Sequence, residues 1–335
     1  MKVLQPLISK LSGGIVARKI FPLLLMTALC LSFSFSGSGS SFAKDSDLTP
    51  EEVVAAHLKS IGSPDVLASI KNRGIAGVAK VNFIQGGTGT MEGQSLIVSA
   101  GPNLGFVMKF GGVEYPGENF AYDGSEVTVS NISPGQRSPL GDFLYRYNFI
   151  IKEGLFGGVL SVGWPLLDIE KKDPKLKYDK AKFDGREVHE LQYIAKSGMN
   201  NMKVKLYFDL ENFHHVGTEY RLVVQGEQAL QAGQTVTEGV PVLNEDGSTT
   251  GPITRNRGIL DAVSDSIYLL VERFGNFKEV RFGKGPETKT MTLPHSYTIQ
   301  YSNEGHGHTF LANWSVDAVQ WIQNGKIDAS FFRAQ

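Results

Sequence analysis

Apolar residues recur at every second position over much of this chain. Leu104, Phe106, Met108 and Phe110 alternate with Gly105, Val107 and Lys109, and Met202, Val204, Leu206 and Phe208 alternate with Lys203, Lys205, Tyr207 and Asp209. A period of two puts one set on one face of a strand, and in the second run the other face is mostly charged. Asp184-Gly185, between the runs 176–183 and 186–194, predicts a tight hairpin. Further strands are predicted over 75–84, 90–99, 118–130, 213–225, 266–282, 291–302 and 308–323. Many successive strands with short turns predict an antiparallel meander.

Helical spacing is confined to three places. Thr49-Pro50-Glu51-Glu52 offers an N-cap, a proline in the first turn and a glutamate three residues after the cap. Val53, Val54, His57 and Leu58 then follow helical spacing, and Gly62 ends the helix. Ser63-Pro64-Asp65 starts a second short helix, closed near Asn72-Arg73-Gly74. Over Ser138–Ile151, Leu140, Phe143, Leu144, Tyr147, Ile150 and Ile151 form a stripe that predicts an amphipathic helix. The glycine-rich apolar stretch 154–167 follows and is predicted to be irregular and covered. Residues 135–167, with Leu140, Phe143, Leu144, Tyr147 and Trp164, are a candidate lid; a fixed cover has the same composition. Residues 226–263 are polar and predict a loop or insert.

The first 43 residues change the picture of where the chain works. Lys2, Lys10, Arg18 and Lys19 form a basic stretch without any acid, an apolar core runs from Ile20 to about Phe35, and small residues lead to Ser41-Phe42-Ala43. That order predicts a secretory signal peptide over 1–43, removed near Ala43, and a periplasmic or secreted product of residues 44–335. Cleavage would take four of the 33 basic residues and none of the 34 acidic ones, leaving 29 against 34, a net charge of −5. Such a surface does not attract nucleic acid. The one cysteine, Cys30, lies in the apolar core of the leader, so the exported chain is expected to carry no disulfide or thiol chemistry.

No catalytic residue, metal-ligand set or cofactor is predicted. His306-Gly307-His308 with Glu304, and the pair His214-His215, fall short of the three or four ligands zinc takes. The pair His214-His215 points to opposite faces if extended. Ser161, in Gly158-Val159-Leu160-Ser161-Val162-Gly163, does not fit a nucleophile elbow, and there is no phosphate-binding glycine loop.

Some stretches resemble a family. PEEVVAAHLKSIGSPDVLASIKNRGIAG, residues 50–77, resembles the opening of the outer-membrane lipoprotein-sorting-like proteins, related in fold to the periplasmic LolA-like carriers. Ala121-Tyr122-Asp123-Gly124 resembles that family's strand-ending Asp-Gly. Asp184–Val188 with Leu206–Asp209 resembles its hairpin and following strand, and Asn324–Phe332 its C-terminal ending. Residues 135–167 and 226–263 are additions to it. The resemblance implies an α+β fold: a curved antiparallel sheet forming an incomplete β-barrel closed by helices. It also implies a lipid or acylated lipoprotein as partner. Leu104, Phe106, Met108, Phe110, Met202, Val204, Leu206 and Phe208 are then candidates to line an apolar cavity; the same pattern describes an ordinary core. The alternatives are a cell-envelope interaction module with a filled core and an envelope protein as partner, and a secreted hydrolase.

Overall fold

The structure, a computed structural model, describes residues 48–199, 201–225, 239–243, 249–254, 265–305 and 308–334. The expected leader and most of the polar insert lie outside these residues. Helix α1 (Pro50–Ile61) starts as its sequence dictates: Thr49 Oγ1 accepts from the Glu52 amide at 3.2 Å, and the Glu52 carboxylate accepts from the Thr49 amide at 2.8 Å. Its apolar stripe, Val53, Val54 and Ile61 with His57 among them, is buried. Helix α2 (Pro64–Ser69) follows.

Strands β1 (Asn72–Gln85), β2 (Gly89–Ala100), β3 (Asn103–Phe110), β4 (Gly117–Tyr122) and β5 (Val127–Val129) form one meander. β6 (Lys175–Phe183), β7 (Arg186–Ile194), β8 (Lys203–Asp209) and β9 (His215–Val224) form a second, and β12 (Ser266–Phe282), β13 (Lys289–Gly305) and β14 (His308–Gln323) a third. They join into a 12-stranded antiparallel sheet ordered β5-β4-β3-β2-β1-β14-β13-β12-β9-β8-β7-β6. The predicted hairpin is present: Asp184 and Gly185 both have positive φ, 49° and 79°, and Phe183 pairs with Arg186. Two positive φ values are what a two-residue loop of this hand requires. Within the insert, β10 (Gly239–Leu243) and β11 (Thr249–Thr254) pair as a separate hairpin.

The sheet is curved and open. Phe106 on β3 and Tyr297 on β13 are four strands apart, which in a flat sheet is about 19 Å, yet their ring centroids are 6.0 Å apart. The inward side chains meet only because the sheet curls around them. The terminal strands β5 and β6 do not pair, so the barrel is incomplete. The α+β class and curved antiparallel sheet expected from the sequence are therefore the observed architecture.

Three elements differ from expectation. Helix α2 ends at Ser69, and Asn72-Arg73-Gly74, expected to close it, belong to β1. The strand predicted over 118–130 is two strands, because Asp123 Oδ1 accepts from the amides of Ser125 and Glu126 and turns the chain. The helix predicted over 138–151 is α3 (Pro139–Arg146) and a single turn, α4 (Phe149–Lys152). Tyr147, at φ −107° and ψ 44°, leaves the helix between them. Both pieces bury the same side, through Leu140, Phe143 and Leu144 and then Ile150 and Ile151. A kink that keeps its buried face leaves the apolar periodicity unchanged.

The order of strands has one topological consequence. The chain leaves the sheet at β5 and re-enters at β6, on the opposite edge, so residues 130–174 must cross its full width. This crossover contains α3, α4, two single 3-10 turns and α5 (Ile169–Lys172).

Candidate functional site

All eight residues predicted to line a cavity are buried. The two sets lie far apart in strand order but are linked across the inner face by a chain of rings. Phe106 meets Tyr297, Tyr297 stacks on Phe274 at 5.2 Å, Phe274 meets His215 at 4.7 Å, and His215 meets Phe208 at 5.3 Å. Phe110 stacks on Tyr115 at the far end, at 5.7 Å. Leu104 and Met108 share its strand, Val204 and Leu206 share that of Phe208, and Met202 stands just before β8.

The crossover covers this ring chain. Phe156 sits on Phe106 and Phe120, at 5.6 and 6.0 Å. Trp164 stacks on His215 at 4.8 Å and meets the edge of His57 at 5.0 Å. Phe143 packs on Tyr301, Tyr147 and Tyr268, at 5.1, 5.1 and 6.1 Å, with Leu140 and Leu144 buried beside it on α3. The five residues predicted for a lid therefore belong to the crossover, and Trp164 packs among the inward rings. Glycine makes the path possible. At Gly154, φ +85°, an added Cβ would lie 2.1 Å from the Gly163 carbonyl oxygen, a clash that only glycine avoids. At Gly158, φ +48°, an added Cβ would lie 2.9 Å from both His215 and Phe274.

A few polar groups tie the crossover to the sheet. On β4, Glu118 accepts from Tyr115 Oη at 2.6 Å and from Ser138 Oγ at 2.8 Å, and the same Ser138 oxygen accepts from the Gly141 amide to cap α3. On β12, Glu272 accepts from the Gly157 amide and Tyr220 Oη, both at 2.7 Å, and from Tyr297 Oη. Burial pushes both carboxyls up to about 7, against the pull of these donors. Arg73 of β1 donates to the Val159 carbonyl, Ser99 Oγ accepts from the Val162 amide at 3.0 Å, and Tyr193 Oη donates to Glu153 at 2.5 Å.

His57 Nδ1 lies 2.8 Å from the Phe213 carbonyl, which can only accept, so that nitrogen carries the proton. Desolvation holds His57 down to about 4 and His215 well below the ordinary imidazole range, so both are neutral at pH 7. His214 stacks instead on Phe277 at 4.3 Å, so the adjacent pair does divide between two environments. Among the described residues no group of three or more His, Cys, Asp or Glu could hold a metal ion. His306 lies outside them.

Sequence reading missed Arg73, Glu118 and Glu272. The usable signal was phase: Leu270, Glu272 and Phe274 share one face, as do Glu118, Phe120 and Tyr122, and all are buried. A charge at an inward position of a period-two run marks a buried polar contact.

No protein-family model and no curated protein matches the chain. Among solved structures, it is similar to a LolA superfamily protein from Nitrosomonas europaea, at 9% identity and a TM-score of 0.39 over 85% of this chain and 98% of that one. It is also similar to a DUF1329 family protein from Desulfovibrio piger, at 9% identity and a TM-score of 0.36 over 84% of this chain and 96% of that one.

Proposed function

We propose that this protein is an exported binding or carrier protein for a lipid or an acylated lipoprotein, whose acyl part occupies the inner face of the sheet when the crossover is displaced. One observation carries the reading: beside α1, whose His57 packs on Phe208, the inner face is covered by a glycine-jointed crossover of short helices and turns. Each methylene that an acyl chain buries contributes about 0.8 kcal/mol, so one chain supplies useful affinity without a charged anchor. The basic, then apolar, then small-residue order of residues 1–43 supports export to the periplasm or beyond. Among the described residues no helix is long and apolar enough to cross a membrane.

A second reading, an envelope interaction module with a filled core, is favoured by the closed packing of the ring chain under Phe156 and Trp164. Native mass spectrometry of the exported protein, purified without detergent and then incubated with envelope lipid extract, separates the two. A carrier retains a stoichiometric, extractable lipid. A protein that stays clean after incubation is not a carrier, and a pull-down for an envelope partner then tests the second reading.

A further inference from the structure

Arg73 is a buried cation without an anion. Its side chain is enclosed, at 2% relative exposure, and among the described residues it makes no ion pair. Its acceptors are all neutral: Gln323 Oε1 at 3.3 Å, the Val159 carbonyl, and the thioether of Met291 at 3.7 Å, with the Trp321 ring 5.9 Å away. A guanidinium has five N–H donors. Three are used here, one of them on sulfur, a weak acceptor. Beside it, the buried Gln323 Nε2 and Trp321 Nε1 also find no partner among the described residues. Both are donors. A buried charge is costly without a counter-ion, and the donors left over here can take one from a bound group.

Arg73 also lines a cavity of about 280 Å³ between α2 and the crossover. Ile61, Leu67, Val159 and Leu167 give the cavity wall an apolar part, and Lys71 adds a second cation. Its one carboxylate, Asp168, is 63% exposed and lies 3.9 Å from Lys171. We propose that this cavity binds a small amphiphilic anion, a carboxylate or phosphate on a short apolar chain, with its oxygens on Arg73. The site exists in the closed molecule, so it goes beyond the carrier reading and does not require the crossover to move.

Isothermal titration of the exported protein with octanoate, octyl phosphate, octylammonium, octyl glucoside and inorganic phosphate tests this. The two octyl anions are expected to bind with saturation at one site and at least tenfold tighter than the cation or the neutral glucoside, while inorganic phosphate alone does not saturate. The ratio of the two anions decides between a carboxylate and a phosphate ligand. Arg73→Gln should lose at least tenfold for the anions only. Ala68→Trp, which fills the cavity and leaves the arginine, should lose binding of both anions, and it serves if circular dichroism finds the Arg73 variant unfolded. Equal binding of all four octyl compounds, no binding of either anion, or anion binding untouched by these variants would overturn the site. Retention of long-chain lipid is scored separately, so either idea can fail while the other stands.

Discussion

Glu272 carries three hydrogen bonds and no cation, and its titration follows from that. Its carboxyl titrates at about 7 in the folded protein, against an ordinary value of 4.5, so between these the folded state holds a proton that the unfolded state releases. Stability from this group is therefore fully present below about 4.5 and declines as pH rises towards 7. His57 works in the opposite sense: held at about 4 against 6.5, it contributes stability above 6.5 that is lost as pH falls towards 4. Replacing Glu272 by Gln removes the first effect only. Relative to wild type, E272Q should gain stability between pH 4.5 and 7, by at most about 3 kcal/mol at 1.36 kcal/mol per pKa unit. Urea denaturation at several pH values measures it, and parallel profiles for the two proteins would show that Glu272 does not titrate in this window. Residues of this kind were half legible in the sequence. The inward phase of Glu272 could be read from Leu270 and Phe274, but its partners Gly157, Tyr220 and Tyr297 come from separate elements that no local pattern joins.

At the scale of elements, the crossover depends on a few positions. Gly154→Ala sets a Cβ 2.1 Å from the Gly163 oxygen at a positive φ, so the backbone must shift. A loss of about 1–3 kcal/mol is expected, read as a lower denaturation midpoint and as faster proteolysis within 149–168. Ser138→Ala removes the α3 cap and one donor to buried Glu118, and should cost about 1–2 kcal/mol; a variant as stable as wild type would mean that the Ser138 contacts contribute nothing. The strands were legible because alternation is local: β3, β7, β8, β9 and β12 lie within one or two residues of their predicted bounds. The pairing of β1 with β14 was not, since register between segments more than 200 residues apart leaves no trace in either one. For the same reason the stretch 135–167 could be read as a lid or cover, but not as the connection between opposite edges.

At the scale of the fold, the 12-stranded sheet is open among the described residues, with β5 and β6 as its edges. β6 is the longer of these, and it presents Lys175, Lys177 and Lys182 as exposed residues. Charged edges discourage strand addition by a second copy. Changing all three lysines to Thr should promote self-association, seen as a concentration-dependent increase in sedimentation coefficient; a variant that stays as monodisperse as wild type would place the protection elsewhere. The curvature that lets Phe106 touch Tyr297 was implied by family resemblance and not by periodicity, because alternation reports which face is buried but not how far the sheet bends.

The central claim is that the crossover is a displaceable cover on the inner face. Native-state hydrogen exchange tests it most directly, by comparing amides of 149–168 with those of β1, β13 and β14 across a denaturant series. A displaceable cover predicts that 149–168 exchanges through a local opening several kcal/mol below global unfolding, and that bound lipid alters this opening and leaves the central strands unchanged. If 149–168 exchanges only with the central strands, at the global unfolding free energy, the crossover is permanent core and the carrier account is contradicted.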